Sequence, residues 1–106
     1  MAWFRRRSVS AADTRGASTA DLQHLEQFVA TRQGVEAYLE PKTTVTEHTV
    51  MLIAFDGEWT RRRVPSHAAV RAWAHRLGVP VYDVALVGYP NRWREFNERR
   101  KQAQQS

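Results

Sequence analysis

The sequence contains no cysteine. That excludes disulfides, thiolate catalysis, Cys-ligated zinc and iron–sulfur clusters, and it suits a reducing compartment. Lysine is scarce as well: Lys42 and Lys101 stand against fourteen arginines. Long apolar runs are missing. The longest, Val50 to Phe55, is six residues, far short of the roughly 20 that cross a bilayer as a helix. The five glycines, at 16, 34, 57, 78 and 88, are isolated, so no Gly-x-Gly-x-x-Gly phosphate turn is expected. With 106 residues the chain has room for one modest core, but not for a dinucleotide-binding fold with its own substrate domain.

What is present is an uneven positive charge. The formal net charge is +5. Residues 1–20 carry Arg5, Arg6, Arg7 and Arg15 against Asp13, whereas residues 21–94 are within one charge of neutral. Met1-Ala2-Trp3-Phe4-Arg5-Arg6-Arg7 opens like a signal peptide, but Ser8 to Ala20 brings no apolar stretch. Secretion is therefore not expected, and the expected location is the cytoplasm. Residues 1–17 read as a disordered basic tail, suited to transient contact with anionic surfaces.

The remaining chain alternates between helical and strand periodicity. Ser18 reads as an N-cap with Asp21 in the capping-box position. Leu22, Leu25, Phe28 and Val29 follow as one apolar stripe, closed by Gly34. Val35, Ala37 and Leu39 then alternate with Glu36, Tyr38 and Glu40, a half-buried strand ended by Pro41. After a polar connection over 42–47, His48 to Phe55 reads as a central strand. Asp56-Gly57 predicts a two-residue type I′ hairpin, with Glu58 to Val64 returning as the partner. Ser66 caps a second helix bearing Val70, Trp73, Ala74 and Leu77, ended by Gly78 and Pro80. Val84 to Val87 reads as a short strand. A last helix runs from Asn91 to about Lys101 with Trp93 and Phe96 as its large apolar residues. The expected organisation is a tail over 1–17, one domain over 18–101 and a frayed end over 102–106. The expected fold is α+β, a mostly antiparallel sheet with helices on one face, in the order α-β-β-β-α-β-α.

Gly34-Val35-Glu36-Ala37-Tyr38-Leu39-Glu40-Pro41, the run Asp56 to Arg63, Val79 to Val84 and Gly88-Tyr89-Pro90 together resemble a group of short actinobacterial proteins. Members look like single-domain cytoplasmic proteins with a basic start, and some carry an oxidoreductase label. The resemblance covers roughly residues 20–97. It implies an uncharacterised family and transfers no functional residue.

Side chains suited to catalysis are few. His67 and His75 lie eight residues apart on the second helix, about two turns, too far to share one ion, and no His-x-x-x-His pair occurs. His24 and His48 read as surface or edge residues, and no metal is expected. Ser66 beside His67 reads as a helix cap rather than a nucleophile. Glu36 and Glu40 share one strand face, a position for acid–base work or simply for solvation. No cofactor is implied.

The basic and aromatic residues form the stronger pattern. A two-residue turn pairs Phe55 with Glu58, Ala54 with Trp59, Leu52 with Arg61 and Val50 with Arg63. One hairpin face then holds Val50, Leu52, Ala54, Trp59, Arg61 and Arg63. The other holds Thr49, Met51, Ile53, Phe55, Glu58, Thr60, Arg62 and Val64. With the second face as core, Trp59, Arg61 and Arg63 form an open stacking and phosphate-contacting platform, extended by Arg92 and Arg94. With the first as core, Trp59 packs and the arginines snorkel at its rim. The expected function is a small non-catalytic interaction module with an unidentified protein or nucleic-acid partner. Nucleic-acid binding through Trp59, Arg61, Arg63, Arg92 and Arg94 is the alternative, and an oxidoreductase or redox accessory is a further one. The order α-β-β-β-α also occurs in double-stranded-RNA-binding domains, but the second helix here starts Pro65-Ser66-His67-Ala68-Ala69, without their lysine cluster.

Overall fold

The computed structural model describes residues 19–43 and 47–105. The expected tail over 1–17 and the N-cap Ser18 lie outside the described residues. Helix α1 (Thr19–Thr31) buries Leu22, Leu25 and Phe28, the stripe its spacing prescribes. Strands β1 (Glu36–Glu40), β2 (Thr49–Ile53) and β3 (Trp59–Arg63) follow. Helix α2 (His67–Leu77) starts where the Ser66 hydroxyl accepts the Ala69 N–H at 3.0 Å, and it stops at Gly78. Strand β4 (Val81–Asp83), the single turn α3 (Val84–Val87) and helix α4 (Asn91–Gln105) complete the chain.

The strand expected at 84–87 is corrected here. It lies three residues earlier, and Val84–Val87 is one helical turn. The Asp83 carboxylate accepts the Ala85 N–H at 2.9 Å, and the Gly88 N–H closes the turn on the Val84 carbonyl at 2.8 Å. Four apolar residues in a row fit a buried strand or a helical turn equally well; the local cap decides.

The sheet order is β3-β2-β1-β4. β1–β2 and β2–β3 are antiparallel, and β1–β4 is parallel. The chain therefore crosses from one sheet edge to the other between β3 and β4, and α2 is the crossover. One face is covered by α1 and α2, where Leu25, Phe28, Val70 and Trp73 pack on Ala37, Leu39, Val50, Leu52 and Val64. The expectation that all helices share one face holds only for these two. On the opposite face Tyr38, Met51 and Ile53 are covered by Val84, Tyr89 and Trp93. Val50, Met51, Leu52 and Ile53 are each 0% exposed, so β2 is core on both sides.

The hairpin also departs from expectation. A type I′ turn needs positive φ at both central residues, but among the described residues only glycines have it. Gly57, at φ 95°, instead closes a three-residue loop. The Ala54 N–H donates to the Glu58 carbonyl at 2.8 Å, and the Gly57 N–H donates to the Ala54 carbonyl at 3.0 Å. Ile53 then pairs with Trp59, Met51 with Arg61 and Thr49 with Arg63. One extra loop residue exchanges every β3 side chain between faces. Thr60, Arg62 and Val64 turn toward α1, while Trp59, Arg61 and Arg63 share the face of Met51 and Ile53. Neither expected face assignment survives.

Candidate functional site

Alternation along β1 puts Glu36, Tyr38 and Glu40 on the face that α4 covers. The two carboxylates are four extended residues apart, roughly 13 Å, so they do not act as a pair. Each has its own arginine and its own tyrosine. Glu40 is buried, and both of its oxygens accept from Arg61, Oε1 from Nε and Oε2 from Nη2, each at 2.8 Å. The Thr49 hydroxyl donates to Oε1 at 2.9 Å, and the Tyr89 hydroxyl donates to Oε2. Burial pushes the Glu40 carboxyl up, but the hydrogen bonds from Arg61, Tyr89 and Thr49 and the charge of Arg61 outweigh it. The net shift is below the usual value. Burial and the bond to Glu40 push the Tyr89 phenol up.

At the other end of β1, Arg92 of α4 donates to Glu36 at 2.6 Å and to the Ala54 carbonyl at 2.9 Å. The Tyr38 hydroxyl donates to the same Glu36 oxygen at 2.8 Å. Burial, then that bond, raise Tyr38 to about 12. Trp59 is half-buried; its indole N–H donates to the Asn97 side-chain oxygen at 2.7 Å, and its ring lies 6.2 Å from that of Trp93. Tyr89 stacks on Trp93 at 4.5 Å. Arg94 donates to the Tyr89 carbonyl and to the Asn91 side chain, both at 3.1 Å.

Trp59, Arg61 and Arg63 thus do share one face, as the sequence pattern requires, but α4 lies over part of it. Trp59, Arg61, Arg92 and Arg94 each make bonds that hold α4 or β1 in place. Arg63 is exposed on the edge strand. Two members of this site, Tyr89 and Thr49, had no signal of their own in the sequence. They meet Glu40 only because the chain returns across the sheet.

The four histidines do not gather at one place. His24 is 2.7 Å from the Thr60 hydroxyl. His48 and His67 meet edge to face at 4.8 Å, and His67 Nε2 lies 3.0 Å from the Glu40 carbonyl oxygen. His75 is exposed. Among the described residues, no three His, Asp or Glu side chains converge as a metal site would require. No helix among them is long and apolar enough to cross a membrane.

Two features remain. An open cleft of about 300 Å³ lies between the C-terminal ends of α1 and α2, over Val29, Val35, Leu77 and Val79. Its charged walls are already engaged, Arg32 with Glu58 at 2.7 Å and Glu36 with Arg92. The other feature is apolar. Phe55, Tyr82, Leu86 and Val87 are the exposed large apolar side chains among the described residues, and three of the four fall within six positions beside the open edge of β4. Leu86 is 83% exposed, and α3 buries no residue. No protein family, curated protein or solved structure matches the chain.

Proposed function

We propose that the protein is a small non-catalytic interaction module that meets a protein partner along β4 and α3. The observation that carries this reading is the clustering of Tyr82, Leu86 and Val87 at an uncovered sheet edge. An exposed apolar patch on a small domain marks a contact surface more often than an isolated exposed leucine does. It is supported by the engagement of Arg61, Arg92 and Arg94 in bonds within the chain, which removes them from an open phosphate-binding platform.

Nucleic-acid binding is the second reading. What favours it is the exposure of Arg63, Arg100 and Lys101. A photo-cross-linking amino acid placed at position 86 of the full chain, in cell extract with and without nuclease, separates the two. The first reading expects a protein adduct that nuclease does not remove, and no comparable adduct from position 55. It is overturned by a nuclease-sensitive adduct, or by saturable RNA or DNA binding whose salt slope drops by roughly 0.7–0.9 in Arg63→Ala.

A further inference from the structure

The two edges of the sheet differ in a way that selects a partner. β3 carries Arg61, paired with Glu40, Arg62, paired with Asp21, and the exposed Arg63. Consecutive arginines on an edge strand keep a second strand away, above all one from an equally cationic chain. β4 carries no such guard. From Gly78 to Pro90 the sequence holds a single charged residue, Asp83, whose carboxylate is tied to the Ala85 N–H. In a chain of net charge +5, this stretch can lie against a copy of itself with no repulsion between cations.

Resting on the interaction-module reading, we propose that the partner at this edge is a second copy of the chain, docked across a two-fold axis at β4. A two-fold contact places the same patch against itself, so like charges on that patch oppose each other. The β4 edge brings no cation to the contact and one carboxylate per copy, Asp83, held by the Ala85 N–H, whereas the β3 edge brings the exposed Arg63 of each copy together. Antiparallel pairing of β4 with β4, centred on Tyr82, continues the four-stranded sheet into one of eight strands. Tyr82 then lies opposite its own symmetry mate, and the exposed Leu86 and Val87 of the two copies border the junction. Tyr82 is already held by stacking on Tyr38 at 5.3 Å, so little ordering is left for association to impose. A three-residue strand supplies few backbone bonds, and so small a contact gives a weak, concentration-dependent dimer rather than a permanent one.

The absence of cysteine from the sequence makes a direct test available. Directly opposed residues of an antiparallel pair have Cα atoms about 4.5–5.5 Å apart, within disulfide reach. Mild oxidation of the purified full-length Tyr82→Cys variant is expected to give a disulfide-linked dimer, and Phe55→Cys is not. Sedimentation equilibrium of the wild type should show monomer and dimer in exchange. Leu86→Glu should weaken association at least tenfold with an unchanged unfolding midpoint, since Leu86 contributes little to the core. A wild type that sediments as a monomer up to about 0.5 mM, or Leu86→Glu that associates normally, overturns the proposal. If the purified chain stays monomeric while position 86 still cross-links to a different protein in extract, the second copy is wrong and the module reading stands. If neither contact forms, both fail.

Discussion

Glu40 shows how one side chain can tie two sheet strands to the C-terminal segment. Its carboxylate is half of a buried, bidentate ion pair, and breaking such a pair leaves an uncompensated charge. Arg61 is 43% exposed at its side chain, so water moderates the loss. Arg61→Ala should cost about 2 kcal/mol at pH 7, below the ~3–5 kcal/mol of a fully buried pair. Glu40 titrates below its usual 4.5, so its contribution is present above that pH and is lost as pH falls through the lower folded value. The gap between wild type and Arg61→Ala in urea unfolding should therefore narrow below pH 4.5.

The His48 imidazole behaves in the opposite sense to a salt-bridged histidine. Burial, then His67, then Lys42 lower its pKa, against a smaller opposing effect of Glu47. Its Nδ1 is buried with no acceptor among the described residues. The unfolded chain therefore takes up a proton first. Stability is complete above the ordinary value of 6.5 and falls as pH drops from there toward the folded value. His48→Gln should flatten that slope in chemical denaturation below pH 6.5. His24, lowered by burial and by Arg62 and Arg32, would account for part of the slope that remains.

At the scale of elements, the hairpin tip and α4 are one unit. Arg92 reaches the Ala54 carbonyl and Arg99 reaches the Asp56 carbonyl at 3.0 Å. Gly57 lies directly beneath the helix: a Cβ there would stand 2.1 Å from the Arg92 carbonyl oxygen and 2.8 Å from Phe96 Cβ. Gly57→Ala thus combines a left-handed backbone with a backbone clash that no side-chain rotation relieves. The expected cost is about 2–3 kcal/mol, above the ~1–2 kcal/mol of the conformation alone. Tryptophan emission should shift to the red as α4 lifts, carrying Trp93 off the sheet and uncovering Trp59. Gly78→Ala is the matched control. Its φ is 72°, but nothing stands within 4 Å of a Cβ there, so it should cost only the backbone term and leave the emission in place.

At the scale of the molecule, the sheet is a shared wall between two unequal layers. The layer under α1 and α2 includes Trp73, fully buried. The layer under α4 is thinner, and α4 itself has no fully buried residue. Deleting residues 102–106 should leave the unfolding midpoint nearly unchanged, because those described are exposed helix end. Deleting 91–106 removes Trp93 and uncovers Met51, Ile53 and Trp59. That truncation should bind a hydrophobic dye and lose cooperative unfolding, since each fully buried large side chain contributes roughly 1.5–3 kcal/mol. An unchanged cooperative melt for the longer deletion would show that the second layer is dispensable.

The element order was legible in the sequence because it rests on local physics. Apolar spacing set α1 and α2, alternation set β1, and Ser66 and Gly78 bound α2 as short-range rules require. What the sequence could not determine was every feature that depends on a contact between distant segments. A hairpin with Asp56-Gly57 fits loops of two or three residues, and the approach of Arg92 to the Ala54 carbonyl accompanies the longer one. That single residue of register decides which face holds Trp59 and the arginines. Val84 to Val87 carries the same composition whether buried in a sheet or exposed on a turn, and only the placement of β4 at the edge left Leu86 in solvent. Glu40, Thr49, Arg61 and Tyr89 lie up to 49 positions apart. Periodicity reports which way a side chain points, whereas its partner is fixed only when the chain folds back.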